Sequence, residues 1–175
     1  MSYFVYPGAL NRPVKEISFR IATKKDQDFI GQLSARVFSI FGRYDEILTD
    51  WFSHPGVITV IGSKNGQPVA FAMFQLGERE TWNVSTGELL AIAVIPEHQR
   101  QGLGRSLLNY MEDLALRFRL REIHLHTGKD NLPAQCLFEE AGYGVAETEK
   151  DYYPKGQPAV RMVKRLDQKA TENPL

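Results

Sequence analysis

Glu88-Leu89-Leu90-Ala91-Ile92-Ala93-Val94-Ile95-Pro96-Glu97-His98-Gln99-Arg100-Gln101-Gly102-Leu103-Gly104 is the stretch on which the reading of this chain turns. From Glu88 to Ile95 it is almost wholly apolar, as expected of a central strand covered on both faces. Pro96 stops the strand, and a polar loop from Glu97 to Gly102 opens a helix predicted from about Leu103 to Leu120. Leu103, Leu107, Leu108, Met111, Leu114, Ala115 and Phe118 mark its buried face. Glycines let a backbone approach a ligand, and free amides at a helix start attract anions through their N–H groups and the helix dipole. A pyrophosphate is the natural guest, while a plain strand-to-helix turn also accounts for Gly102 and Gly104. A Rossmann fingerprint is excluded, because it wants Gly or Ala three places after Gly104, where Leu107 stands. A P-loop is excluded as well, because Arg105-Ser106 follows Gly104 in place of Lys-Ser/Thr.

Working outward, Glu122 to Thr127 reads as a strand and Asn131 to Ala141 as a helix ended by Gly142, with two more strands near 143–150 and 159–166. Upstream, Asn65-Gly66 is a hairpin turn joining strands Val57–Ile61 and Pro68–Leu76. Ile17 to Ala22 is a first strand. Thr23 and Asp26 then cap a helix through about Phe41, its apolar face made by Phe29, Ile30, Leu33 and Val37. A short second helix is predicted from Asp45 to Phe52. Residues 77–86 form a polar connection whose Asn83-Val84-Ser85 sequon, without a secretion signal, is a chance match. Residues 1–15 read as an arm, 16–166 as the domain and 167–175 as a polar tail.

The 175 residues carry 21 Lys+Arg against 21 Asp+Glu, and 43% are hydrophobic. That composition excludes a disordered chain and, being neutral, argues against sequence-independent nucleic-acid binding. No run approaches the ~18 apolar residues of a membrane span, and the N-terminus has no secretory signal, so a cytoplasmic protein is expected. The single cysteine, Cys136, forms no internal disulfide and reads as a packing residue; no metal site is expected.

Three motifs then resemble one family. Val94-x-Pro96 followed by Gln99-x-x-Gly102-x-Gly104 is similar to the acetyl-CoA-binding motif of the GNAT superfamily of N-acetyltransferases. Asn131-x-x-Ala134-x-x-Leu137-Phe138-Glu139-x-x-Gly142-Tyr143 resembles its second motif, and Arg20-Ile21-Ala22-Thr23-x-x-Asp26 its opening strand and helix. The resemblance spans about residues 17–166. It implies an α/β (α+β) fold: a mixed, mostly antiparallel sheet of about six to seven strands flanked by about four helices, with central strands splayed around the cofactor. It also implies that backbone groups of Ile92, Ala93 and Val94 bond the pantetheine arm. Amides of Arg100, Gln101, Gly102, Leu103, Gly104 and Arg105 would hold the pyrophosphate, and the Asn131 side chain would reach the cofactor.

Two residues stand out as bases for acetyl transfer. Glu88 begins an apolar strand and, at period two, shares a face with Leu90, Ile92 and Val94; a strand-end carboxylate reaching water is the plainer explanation. The resemblance places it where the histone-acetyltransferase branch has its catalytic glutamate. His126 lies on the adjacent strand, where an unperturbed imidazole suits proton shuttling, although a lone strand histidine is more often a hydrogen-bonded structural residue and His124 shows that this strand tolerates another. Its spacing to Asn131 resembles that of a catalytic histidine in a eukaryotic protein N-terminal acetyltransferase. Phe138 stands where many members have a thiolate-protonating tyrosine, which leaves Tyr143, Tyr152, Tyr153 or water for that role, or CoA leaving as the thiolate without a dedicated acid; Tyr143 alternatively packs in the core.

Glu147 to Pro154, with Tyr152-Tyr153, resembles the strand and tyrosine pair of protein N-terminal acetyltransferases, the ribosomal-protein alanine type among them. Phe41-Gly42-Arg43-Tyr44 would form the facing wall, with Tyr44 a substrate contact. Packing of two aromatics on the sheet edge is the alternative for Tyr152 and Tyr153. The resemblance therefore implies transfer from acetyl-CoA to the α-amine of a peptide or protein N-terminus, by direct attack in a ternary complex. A small-molecule amine acceptor (polyamine, amino sugar or amino-acid derivative) and a non-catalytic CoA-binding domain are the other readings, and monomer and homodimer both fit.

Overall fold

The computed structural model describes residues 17–77 and 86–166. The expected arm at 1–15, most of the 77–86 connection with Asn83, and the tail at 167–175 lie outside the described residues. In chain order the elements are strand β1 (Ile17–Ile21), helices α1 (Gln27–Phe38) and α2 (Tyr44–Phe52), strands β2 (Val57–Lys64), β3 (Gln67–Leu76) and β4 (Thr86–Val94), helix α3 (Leu103–Arg117), strand β5 (Glu122–Gly128), helix α4 (Leu132–Glu140), and strands β6 (Gly144–Glu149) and β7 (Ala159–Arg165). The seven strands form one sheet in the order β1-β2-β3-β4-β5-β7-β6. Every neighbouring pair is antiparallel except β4 and β5, which are parallel and joined by the α3 crossover. The mixed, mostly antiparallel sheet and the four helices are those expected.

Two apolar layers cover the sheet. Leu103, Leu107, Leu108 and Met111 of α3 and Phe138 of α4 pack with Leu89, Ile123 and Leu125 on one face. Ile30 and Leu33 of α1 and Leu48 of α2 pack with Ile61, Phe71, Ala91 and Ala93 on the other. The central strand is therefore covered twice, which is why its sequence is a continuous apolar run rather than an alternation.

One expectation about β4 is corrected. Met73 pairs with Ala91 but the next residue, Phe74, pairs with Leu89, so Leu90 is an extra residue in a β-bulge. A bulge places two successive residues on one face and bends the strand. Leu89 accordingly joins the α3 layer, Leu90 and Ala91 the α1–α2 layer, and Ile92 and Val94 the α3 layer again. Glu88, one step before Leu89, thus shares a face with Leu90 but not with Ile92 and Val94.

The predicted first helix opens as a short 3-10 turn, Lys24–Asp26, before α1, and ends three residues earlier than expected. Asp26 is buried, its carboxylate accepting from Arg20 Nη1 and Nη2 at 2.8 and 2.7 Å and from the Thr23 amide at 2.7 Å. The Arg20 hydrogen bonds, against the cost of burial, hold its carboxyl well below the usual carboxylate range, at about 2. A group depressed on folding contributes stability above its unfolded pKa of about 3.9 and loses it as pH falls through the folded value. Asp26→Asn should therefore cost about 2 kcal/mol at pH 7, with the difference from the parent shrinking between pH 4 and pH 2. Urea unfolding at pH 7 and pH 2 measures both limits.

Candidate active site

The site originates in how β4 and β5 part. Their ladder runs only from Thr86 and Glu122 to Leu89 and Leu125, although β4 continues to Val94 and β5 to Gly128. The bulge at Leu90 falls one residue past the last rung, where the added bend turns β4 away from its neighbour. A cavity opens in the gap, floored by Leu90, Ala91 and Ile92 on one strand and His126, Thr127 and Gly128 on the other. Asn131, Ala134 and Phe138 of the α4 segment close one side, while Phe38, Phe41, Tyr44, Trp51, Tyr152 and Tyr153 make an aromatic wall.

Glu88, Ile92, His126, Asn131, Tyr44, Tyr152 and Tyr153, all singled out in the sequence, line this one cavity. Ala93 is buried in the α1–α2 layer instead, and the Val94 carbonyl accepts from the Gln99 side chain at 3.0 Å. The Arg100–Arg105 turn lies beyond the end of β4. There the backbone N–H groups of Arg100 to Arg105 meet no acceptor among the described residues, leaving a row of amides at the start of α3. Gly102 has φ +81°, which explains a glycine by backbone conformation. Gly104 needs another explanation: a Cβ there would make only ordinary contacts, at 3.7 Å with Leu137 and 3.9 Å with Val94. The protein itself leaves room for a side chain at Gly104, which fits a position kept bare for a ligand. Asn131 departs from the expected role in part, since its Oδ1 caps α4 by accepting from the Ala134 amide at 3.3 Å.

His126 sits between two carboxylates. Its Nδ1 lies 3.1 Å from Glu88 Oε1 and its Nε2 2.9 Å from Glu149 Oε1, with Tyr152 stacked on the ring at 4.4 Å. Burial alone would lower its pKa, but the hydrogen bonds to Glu88 and Glu149 more than reverse this, and the imidazole holds its proton above the ordinary range. His124, on the same face, is set differently: Nε2 pairs with Glu122 at 2.6 Å, and Nδ1 meets Arg161 Nη1 at 3.0 Å. A guanidinium can only donate, so His124 Nδ1 must accept and its tautomer is fixed. The two histidines thus differ in their partners, His126 lying between two carboxylates and His124 between a carboxylate and a guanidinium.

Burial pushes the Tyr44 hydroxyl up to about 12 and raises those of Tyr152 and Tyr153 further, so all three are donors near neutrality. Tyr153 is stacked on Phe41 at 4.2 Å. Tyr143 is buried in the α3–α4 core, edge-on to Phe138, and does not line the cavity. Cys136 is exposed, with its thiol 3.5 Å from Glu140 and outside the cavity; packing does not account for it as expected. Glu149, Phe38, Trp51 and Thr127 were not singled out from sequence. Only the resemblance of the 147–154 stretch pointed near Glu149, and helix or strand periodicity marks the others simply as packing residues.

Residues 20–143 match the acetyltransferase (GNAT) family. The chain is 35% identical over 92 residues to the ribosomal protein bS18-alanine N-acetyltransferase of Escherichia coli K12, covering 53% of this chain and 58% of that protein. It is 30% identical over 98 residues to a mycothiol acetyltransferase of Pseudarthrobacter chlorophenolicus, covering 54% and 29% of the two chains. The alignments thus span less than two thirds of these relatives. The crystal structure of the Escherichia coli ribosomal-protein-S18-alanine N-acetyltransferase superposes with a TM-score of 0.74 at 22% identity, covering 91% of this chain and all of the other. With the family match extending over more than half of its 175 residues, the chain belongs to the acetyltransferase (GNAT) family.

Proposed function

We propose that this protein transfers an acetyl group from acetyl-CoA to the α-amine of a peptide or protein N-terminus. The observation that carries the reading is the splayed gap itself. It runs between the free amides of Arg100–Arg105 at one end and the Glu88–His126 pair beneath an aromatic wall at the other. The amides and the bare Gly104 fit a pyrophosphate, and the gap between strands fits an extended pantetheine arm. Bound there, acetyl-CoA would supply the thioester: the amine nitrogen bonds to its carbonyl carbon as the C–S bond breaks, and CoA leaves as the thiolate, to be protonated by the Tyr152 or Tyr153 hydroxyl or by water.

The chain's own groups do the rest. An amine arrives largely as ammonium, so it must lose a proton before attack. Glu88 faces the cavity with His126 behind it, giving a carboxylate to attract the ammonium and an imidazole to take its proton. Main-chain N–H groups of β4 beyond the end of its ladder with β5 would serve the thioester carbonyl oxygen. Tyr44 and Tyr152 combine an apolar ring with a protonated hydroxyl, suited to a first side chain and a peptide carbonyl respectively. The relative that acts on ribosomal protein bS18 supports a protein acceptor.

A second reading, a small primary amine, is favoured by how the two loops meet over the acceptor end. Phe41 stacks on Tyr153, Gln157 Nε2 donates to the Ile40 carbonyl, and Lys155 Nζ donates to that of Ser39 at 2.8 Å. These contacts narrow the entrance, and the mycothiol acetyltransferase likeness points the same way. Thiol release measured against short peptides with varied first residues, beside polyamines and amino sugars, decides between them. Peptides are expected to react best; turnover confined to the small amines overturns the peptide reading.

A further inference from the structure

The cavity leaves a question that Glu88 and His126 do not answer: where the proton goes once the acceptor covers Glu88. We propose that Glu149 is the outer end of a proton path, a positioning residue that orients His126 from the side away from the cavity and accepts the proton His126 passes on. The proposal rests on the acetyltransfer reading above.

The geometry is a carboxylate–imidazole–carboxylate array whose members come from three strands, with Glu149 reaching past β7 to the ring. Glu88 on β4 meets Nδ1 at 3.1 Å, and Glu149 on β6 meets Nε2 at 2.9 Å. Glu88 lines the cavity and Glu149 does not; Glu149 ends the exposed edge strand and meets the ring nitrogen opposite the one that faces Glu88. Tyr152 covers the face of the ring, leaving its two nitrogen edges as the polar exits. The other charged group paired across the ladder from His126, Arg161 on β7, is spent on Glu147 at 2.6 Å and on His124. Tyr44, across the cavity, is a neutral phenol near pH 7.

In the step itself, a proton from the amine N–H forms an O–H bond on Glu88. That O–H then breaks as an N–H forms at His126 Nδ1. The N–H at Nε2 breaks as an O–H forms on Glu149, and water takes the proton from there. The ring must be neutral at the start, so turnover should rise with pH as the imidazolium is lost.

Glu149→Gln keeps an acceptor oxygen against His126 but cannot carry the proton. Its position on an exposed edge strand spares the core. Relative to the parent, kcat should fall about tenfold with KM for acetyl-CoA unchanged. The ascending limb of the rate profile should move to lower pH, because one of the two carboxylates holding the imidazolium is gone. Glu149→Asp, which keeps a carboxylate, should recover part of the rate. His126 is also followed by NMR titration of its ring, which needs no turnover; its midpoint should drop in Glu149→Gln. A fall in kcat with an unmoved limb and midpoint reveals a merely structural Glu149, and a moved midpoint with parental kcat routes the proton elsewhere; either overturns the proposal. Absence of thiol release by the parent with every acceptor overturns the acetyltransfer reading instead, and the ring titration still reports whether Glu149 bears on His126.

Discussion

Replacing His126 with alanine should lower kcat for the acceptor at least a hundredfold while leaving KM for acetyl-CoA near its parental value. The size follows from what is removed. A positioned base contributes about 10²- to 10⁴-fold, and His126 is the imidazole that lines the cavity beside Glu88. The selectivity follows from geometry, because the ring touches Glu88, Glu149 and Tyr152 but not the Arg100–Arg105 amides beyond the end of β4. Two companion variants sharpen the result. His124→Ala removes a histidine outside the cavity whose nitrogens are committed to Glu122 and Arg161, and should change kcat only a few-fold. Glu88→Gln should also be slow. Because Glu88 and His126 act in series, the double variant should be no worse than the slower single one. Multiplying effects would place the two residues on separate paths.

The same residue sets a pH dependence of stability. A histidine whose folded pKa is raised contributes stability that is complete below its unfolded value of about 6.5, and loses it as pH rises through the folded value. The parent should therefore lose some stability as pH rises above about 6.5. His126→Ala should show no such slope in thermal melts across that window.

Much of this was legible before any coordinates, and what was not has an identifiable physical cause. The apolar run of β4, the Asn65-Gly66 turn and the helical spacing of α3 are local signals, so each element appeared within a few residues of its expected place. Glu88 and His126 were legible because a carboxylate or imidazole among apolar strand residues is conspicuous. The face of Glu88 relative to Ile92 was not, since period two holds only for an unbroken strand and the bulge at Leu90 is written in pairing with β3, not in β4 itself. Glu149 was hidden for a similar reason. It lies among Glu147, Lys150 and Asp151 in a stretch that reads as a solvated edge, and only the β5-β7-β6 order brings it to His126.

Acetyl-CoA at a hundred times its Kd should stabilise the folded chain by about 2.7 kcal/mol, a rise of roughly 5–10 °C in Tm for a domain of this size. Gly104→Glu should abolish that rise while melting, without ligand, close to the parent. The two halves of this prediction rest on different contacts. In the free protein a Cβ at position 104 finds space, at ordinary distances from Leu137 and Val94. A carboxylate in the first turn of α3 is also favourable to the helix dipole, so the fold has no reason to suffer. Towards a pyrophosphate the same carboxylate is doubly wrong. It fills the approach that a bare Cα leaves open and sets a negative charge among the amides of Arg100 to Arg105, where the ligand's own charge belongs. Gly102→Ala provides the opposite pattern. Its φ of +81° makes any side chain strained, at a cost of about 1–2 kcal/mol, so it should lower Tm with and without ligand alike while keeping the ligand-induced rise. If instead Gly104→Glu kept the full rise, the anion would be held elsewhere than at the start of α3, and the splayed gap would lose its cofactor assignment. Loss of the rise in Gly104→Glu but not in Gly102→Ala would locate the phosphates against one face of one helical turn.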